Sequence, residues 1–391
     1  MTYKLDKLVH SEELFDDEYL RSRQKEYGFT QLSKVKTFLW DFELLGQLQR
    51  QLGSKVVLKG GAAAQLFSPP EKQRTSVDID VIYSGTETDL LSTLESIHAD
   101  FGRDETFFKF TKYTPKKPSK ALPLLTFYVA VPDFPIEAKR QINIKLDFHM
   151  IHDLRVKTIN LDDAIALGVP LAFSPHCLTV DSLVGDKILT LARGSVGIPT
   201  EREADIPKQL YDLNSLTALK SFDSLTDFQS AFDEFLKLEL ANTGDDVEEQ
   251  TIFKQVIVTL KRYSTVGGND ADSEALKVLK EFRGNYEPRP FKSMLQWETL
   301  CKRLEYFTNC LAEKHSDSVR SLKKADEIAN RVSTERDRQA MAKQLFNVLE
   351  SMISSKGTKK FRNVMPERMF WEILSLNKIT PDEIEGALFN E

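Results

Sequence analysis

At 391 residues the chain is long for one domain and, at about 150 residues each, has room for two or three. A hydrophobic content of 41% with 29% charged residues suits a water-soluble globular protein, and no apolar run approaches the roughly 18–20 residues of a membrane span. The net charge of −6, from 53 Lys and Arg against 59 Asp and Glu, excludes a basic nucleic-acid coat protein and confines any nucleic-acid contact to a local patch.

Residues 1–20 are polar and acidic and do not read as a secretory signal. Helices are expected over 11–26 and 31–52; in the second, Leu32, Val35, Phe38, Leu39, Phe42, Leu45 and Leu48 recur at helical steps. An apolar run from Lys55 to Leu58 leads into Lys59-Gly60-Gly61 and a short helix from Ala62 to Phe67, and a Pro-rich loop fills 68–76. Val77 to Tyr83 alternates as a strand does, followed by a helix over 87–99 and strands near 107–113, 122–131 and 141–149. From about residue 181 the pattern is helical: 181–193, 205–220, 224–240, 247–262, 272–283, 294–314, 318–332 and 335–354. The expectation is an α+β chain with N-terminal helices over 1–53, an α/β core with a mixed sheet over 54–180 and a mostly helical domain over 181–391. Cys177, Cys301 and Cys310 show no CxxC spacing, which predicts free thiols in a reducing cytoplasm.

The chemistry starts on the strand at 77–83. Side chains alternate across a strand, so Asp78 and Asp80 share one face, about 7 Å apart along it. Two carboxylates so placed repel unless a cation lies between them, and Mg²⁺, which takes oxygen ligands and bridges to phosphates, is the economical cation. A solvated strand face would also carry such a pair. On the strand at 141–149, Asn143, Lys145, Asp147 and His149 share the polar face, and Asp147 is placed to hold a second ion with Asp78 and Asp80 and to attract the proton of an incoming hydroxyl. Upstream, Gly60 and Gly61 close a strand and open a helix, where backbone N–H groups can bind phosphate. The ordered set carries more weight than any member.

Val57-Leu58-Lys59-Gly60-Gly61, then Arg74-Thr75-Ser76-Val77-Asp78-Ile79-Asp80, resembles the first motif of the AbiEii/AbiGii toxin nucleotidyltransferases, within the DNA polymerase β-like nucleotidyltransferase superfamily. The resemblance implies a polymerase β-like core, a triphosphate held at Lys59, Gly60 and Gly61, and two Mg²⁺ ions on Asp78, Asp80 and Asp147. Leu183 to Leu191 resembles the family's lysine-bearing helix. There Lys187 shares a face with Leu183, Val184, Ile188 and Leu191, either snorkelling past the core edge or reaching an anion in a cleft; the resemblance implies the triphosphate. Lys208-Gln209-Leu210-Tyr211-Asp212-Leu213 is similar to a further family signature, with Gln209 in place of an acid. Asp205 can cap that helix and Pro207 suits its start. Asp212 is expected to orient Lys187 or the nucleotide, Ser76 to bond a phosphate or fix an aspartate unless it is a simple turn residue, and Arg202 and Lys208 to contact phosphate. The resemblance spans 54–217, makes 181–220 the part of the helical domain that completes the active site, and leaves the helices beyond 224 as a helical extension.

The expected function is transfer of a nucleotide from an NTP to an acceptor hydroxyl. As what the resemblance implies, the chain is the toxin of a toxin–antitoxin pair, with a cognate antitoxin as partner and tRNA or another RNA as acceptor. The basic loop 109–120 and the helical half are where RNA contact is expected, while the basic stretches 109–120 and 356–368 also read as solvated loop charge. Rival readings are transfer to a small molecule or protein, and a non-catalytic nucleotide-binding module; the third carboxylate weighs against the latter. His149 with His152 is not expected to be a metal site, nor His176 with Cys177 a nucleophile pair. Phe361, Phe370 and Trp371, interleaved with Lys359, Lys360, Arg362 and Arg368, are expected to pack into a core rather than stack bases.

Overall fold

The computed structural model describes residues 5–114, 124–133, 140–219, 225–244, 246–268, 271–288, 293–313, 316–353 and 364–389. The basic stretches are described only at 109–114 and 364–368; their remainder, with Phe361, lies outside the described residues.

The helix expected over 11–26 is instead a 3-10 turn, Glu12–Phe15, and helix α1, Asp17–Tyr27. Asp16 parts them: its carboxylate accepts from the Glu18 and Tyr19 N–H groups at 2.9 and 3.0 Å and so starts a new helix. Helix α2, Leu32–Leu52, matches its prediction and is buried continuously from Val35 to Leu48. Its polar residues are satisfied one by one: Lys36 pairs with Asp17 and Asp133, and Glu43 accepts from the Val9 and His10 N–H groups.

Asp41 on α2 is different, because it is buried and neither carboxylate oxygen has a hydrogen-bond partner. Burial, with Asp78 and Asp80 adding, raises its pKa well above the ordinary carboxylate range. The unfolded chain releases that proton more readily, so the carboxyl weighs against folding increasingly as pH climbs past about 4. The stability advantage of Asp41→Asn is therefore expected to widen by up to about 1.4 kcal/mol per pH unit between pH 5 and the folded pKa. Urea denaturation across pH checks this, and a pH-independent gap would contradict it.

Strands β1 (Val56–Lys59), β2 (Asp78–Tyr83), β3 (Lys109–Lys112), β4 (Leu124–Asp133) and β5 (Arg140–Met150) fall where the alternation put them. Helices α3 (Gly60–Leu66) and α4 (Glu87–Asp100) separate them, α4 capped by Thr86. Four short strands have no counterpart in the sequence reading: β6 (Thr158–Asn160), β7 (Ile165–Ala166), β8 (Val169–Pro170) and β9 (His176–Leu178). The main sheet runs β3-β4-β5-β2-β1-β9-β6, with β2/β5 and β1/β9 parallel and the other pairs antiparallel; β7 and β8 form a separate hairpin. Helix α2 covers the face carrying Ile79 and Val81, leaving the Asp78 and Asp80 face to the cleft described below.

Helices α5 (Val180–Leu189), α6 (Ile206–Leu219), α7 (Thr226–Thr243), α8 (Glu249–Tyr263), α9 (Ser273–Asn285), α10 (Met294–Glu313), α11 (Ser316–Thr334) and α12 (Arg338–Met352) follow the predicted order. Two more, α13 (Pro366–Ser375) and α14 (Pro381–Phe389), lie beyond the last predicted one. Helix α5 packs on α6 and α7, and α10 on α8 and α13, so the helical half forms one continuous core with the sheet. The architecture is α+β, a mixed sheet followed by helices. No described helix is long and apolar enough to cross a membrane.

Candidate active site

A cleft of about 380 Å³ opens over the polar faces of β2 and β5. Its floor is acidic. The parallel register sets Asp78 beside Lys145 and Asp80 beside Asp147 as cross-strand neighbours, and His149 continues the same face of β5. Burial raises the Asp80 pKa to about 6, with Asp147 and Asp78 adding to the effect against Lys59 and Lys145. Thr126 on β4 donates to Asp147 Oδ1 at 2.5 Å, and the Lys145 ammonium binds the other Asp147 oxygen. Burial alone would lower the Lys145 pKa, but Asp147, Asp80 and Asp78 outweigh it and hold the ammonium above its ordinary value.

This floor fits a hard divalent cation in its chemistry: its three acidic side chains offer oxygen donors, and their mutual repulsion adds to burial in raising the Asp80 pKa. Among the described residues no three histidine, cysteine or acidic side chains form a ready-made ion cage, and Lys145 and Thr126 engage Asp147.

The glycine pair lets the backbone press onto this floor. Gly60 has φ +71°, and a Cβ there would run into the Asp80 carboxylate; a Cβ on Gly61 would lie 2.7 Å from Arg74 Nη2 and 3.1 Å from Ser76 Oγ. Gly60→Ala is expected to cost about 1–3 kcal/mol of backbone strain and to displace Asp80, so both the melting temperature and NTP binding should fall. Unchanged NTP affinity by calorimetry would contradict this role of the turn. Ser76 is buried and donates weakly to the Asp78 carbonyl oxygen at 3.4 Å, fixing the start of β2 rather than a carboxylate.

Behind the cleft lies a buried ionic network. Asp212, with no exposed surface, accepts two bonds from Arg74, at 2.8 Å from Nε and 2.7 Å from Nη2. It also accepts from Lys187 Nζ at 2.8 Å and Gln65 Nε2 at 2.9 Å. Burial would raise its pKa, but Arg74 and Lys187 outweigh that and hold the carboxyl below the ordinary range. Asp212 is thus saturated by donors and does not line the cleft, whereas Lys187 and Arg74 do. Gln209, in place of an acid, accepts from Lys187 at 3.0 Å.

Lys59 is buried and its ammonium lies 2.8 Å from Asp186, whose charge outweighs burial and holds the Lys59 pKa up. It is therefore already neutralised in the protein by itself. Arg202 and Lys208 both bind Asp205, at 2.6 and 3.2 Å, and the Lys208 ammonium lies 4.9 Å from the Tyr286 ring centroid. Asp205 ends a 3-10 turn, Thr200–Asp205, and its carboxylate serves these two cations where a helix cap was expected.

Several cleft residues escaped sequence reasoning. Arg74 was part of the quoted motif but had no visible partner. Asp186, Glu239 on α7 and Tyr286 after α9 line the cleft, so helices beyond 224 contribute to it. Only their charge or aromaticity, common on any helix, was there to be seen. The remaining histidines, the cysteine and the aromatic cluster have these surroundings. His149 lines the cleft with its pKa lowered by burial to about 3, and His152 contacts the Ser84 carbonyl instead. Burial pushes the Cys177 thiol up to about 12, favouring its protonated form, and His176 bonds Asn160 at 2.7 Å. Phe370, Trp371 and Arg368 are buried in the helical core.

A distant likeness is found to the crystal structure of JHP933 from Helicobacter pylori, at 12% identity and a TM-score of 0.36, covering 79% of this chain and 99% of that one. A comparison with curated proteins gives no match. The family model for the nucleotidyl transferase AbiEii toxin of type IV toxin–antitoxin systems matches residues 43–351, well beyond the 54–217 that carried the sequence motifs. With glycine turn, acidic strand and lysine helix all inside that match, the chain belongs to the AbiEii nucleotidyl transferase toxin family.

Proposed function

We propose that this nucleotidyltransferase uses the cleft to move an NMP from an NTP to a hydroxyl of RNA, with tRNA as the candidate acceptor, and that two Mg²⁺ ions are held by Asp78, Asp80 and Asp147. The observation that carries the reading is the three carboxylates on neighbouring strands, facing one cleft beside a glycine turn and a buried lysine. Bound Mg²⁺ would supply charge neutralisation to the triphosphate and acidify the acceptor hydroxyl.

The chain's own groups do the rest. Backbone N–H groups at Gly60 and Gly61 and the Lys187 ammonium hold the β- and γ-phosphates, with Arg202 and Lys208 at the rim exchanging Asp205 for phosphate oxygens. Asp147 accepts the proton of the acceptor hydroxyl as its oxygen bonds to the α-phosphorus, and the bond to the pyrophosphate oxygen breaks on the far side. Asp212 is a positioning residue, because from behind the cleft it binds both Lys187 and Arg74, which do line it. Residues 54–180 serve as the catalytic core and 181–220 complete its phosphate side; Glu239 and Tyr286 extend the wall. An antitoxin is the partner protein implied by the family. Three free, buried cysteines are in keeping with a cytoplasmic setting.

Lys145 stands where a cation is needed, bound to Asp147 and beside Asp78. Lys145→Met is expected to tighten Mn²⁺ binding by about tenfold, since a unit charge a few ångströms away in a partly solvated site is worth about 1–4 kcal/mol. Titration followed by electron paramagnetic resonance reads this directly; unchanged or weaker binding would remove Lys145 as a resident counter-ion.

The reading is tested by incubating the purified protein with each α-labelled NTP, Mg²⁺ and total cellular RNA. Label in a tRNA-sized band supports it. Label in a protein or small molecule alone would replace the acceptor, and bound nucleotide with no label anywhere would favour a binding module.

A further inference from the structure

The geometry points to a stacking platform for the acceptor, formed by Tyr128 on β4 and Tyr113 just after β3, on the cleft face of the sheet, which takes the single-stranded end of a polynucleotide and delivers its terminal hydroxyl to Asp147. The inference rests on the reading of the three carboxylates as the acceptor-activating centre.

Strand registers give two rows across the sheet. One runs Asp78, Lys145, Tyr128, Thr111; the other runs Asp80, Asp147, Thr126 and then Tyr113, whose N–H donates to the Thr126 carbonyl at 2.8 Å. Cross-strand partners share a face, and Thr126 Oγ1 bonds Asp147, so both tyrosines stand on the same face as the acid floor. At about 4.8 Å per strand, Tyr128 lies about 10 Å from Asp78 and Tyr113 about 10 Å from Asp147.

The alternation of β4 makes these rings conspicuous. Phe127, Val129 and Val131 are buried on the other face, whereas Tyr128 is 42% and Tyr113 47% exposed. Their ring centroids are 6.0 Å apart at 86°, an edge-to-face pair that braces both rings while leaving much of each surface open. Exposed, braced aromatic rings in line with a hydroxyl-activating site match the chemistry of a single strand, because any base can stack on them. Lys145 lies between Tyr128 and Asp78, where a backbone phosphate would pass. The β4 backbone groups are committed to the β3–β4–β5 ladder, so what this face offers a ligand is ring surface; the strand edge that a peptide would pair with lies at β3, to the side of the Tyr128 row.

The test uses a fluorescent single-stranded oligoribonucleotide with a free 3′-hydroxyl, and the full chain with Tyr113→Ala/Tyr128→Ala. RNA affinity is expected to fall about tenfold or more, while NTP affinity stays unchanged and Tyr128→Trp binds RNA at least as tightly as the parent. Equal RNA binding by the double alanine variant, or an equal loss of NTP binding, overturns the platform. Transfer of α-labelled NMP to the same RNA separates this from the underlying reading. A parent protein that binds RNA through both rings but labels none overturns the acceptor reading, and with it the delivery to Asp147, while leaving the rings as an RNA-binding surface. A parent that labels RNA no better than the double variant overturns the platform alone, and label found on protein in place of RNA overturns both.

Discussion

Asp78→Ala/Asp80→Ala is expected to transfer NMP about 10⁴-fold more slowly than the parent, equivalent to about 5.5 kcal/mol of lost transition-state stabilisation. Both side chains face the cleft from one strand, and Asp80, whose pKa burial and then Asp147 raise, has Asp147 as its cross-strand neighbour. Removing them takes away two of the three carboxylates and leaves Asp147 paired with Lys145, so nothing would remain to gather cations at the triphosphate. The fold should survive. Asp80 has a folded pKa raised to about 6, so its ionisation opposes folding above the unfolded value near 4, and deleting it relieves that cost at neutral pH. A rate measurement with α-labelled NTP, beside circular dichroism and thermal melting, reads both halves. Transfer within tenfold of the parent would remove the carboxylates from the mechanism, whereas a collapsed melt would make them structural.

The largest stability loss is expected from Asp212→Ala, at about 3–5 kcal/mol, because it strands the buried charges of Arg74 and Lys187 together. The cost is that of uncompensated charge. The pH dependence has a definite sign. The folded pKa of Asp212 is depressed, so its contribution is present above the unfolded value of about 3.9 and lost as pH falls through the folded value. The deficit of the variant should therefore be full at pH 7 and shrink only below about pH 4. Denaturant titrations at both ends measure it. Lys187→Met makes the informative contrast: the two-bond Arg74–Asp212 pair persists, so stability should fall less while NTP affinity falls more. Asp212→Ala as stable as the parent would contradict the network's role.

Much of this arrangement is readable from local pattern. The apolar recurrence in α2 and the alternation in β2 and β5 place those elements within a residue or two, because a packed face imposes its period on the sequence that fills it. The same alternation puts Asp78 with Asp80, and Lys145 with Asp147 and His149. Short strands such as β7 and β9 are too brief to show any alternation, and β9 joins the sheet by a parallel pairing with β1 across more than a hundred residues.

Residue types and spacing thus determined by themselves the glycine turn, the face of each aspartate and the helical setting of Lys187, all set by backbone geometry within one element. Partnership was decided by the tertiary structure. Lys145 faces Asp78 and binds Asp147, Lys59 is neutralised by Asp186, and Arg74 meets Asp212 across 138 residues only because sheet register and helix packing bring them together. The charge each group presents to a ligand depends on those neighbours and on burial, and neither is a property of the local sequence.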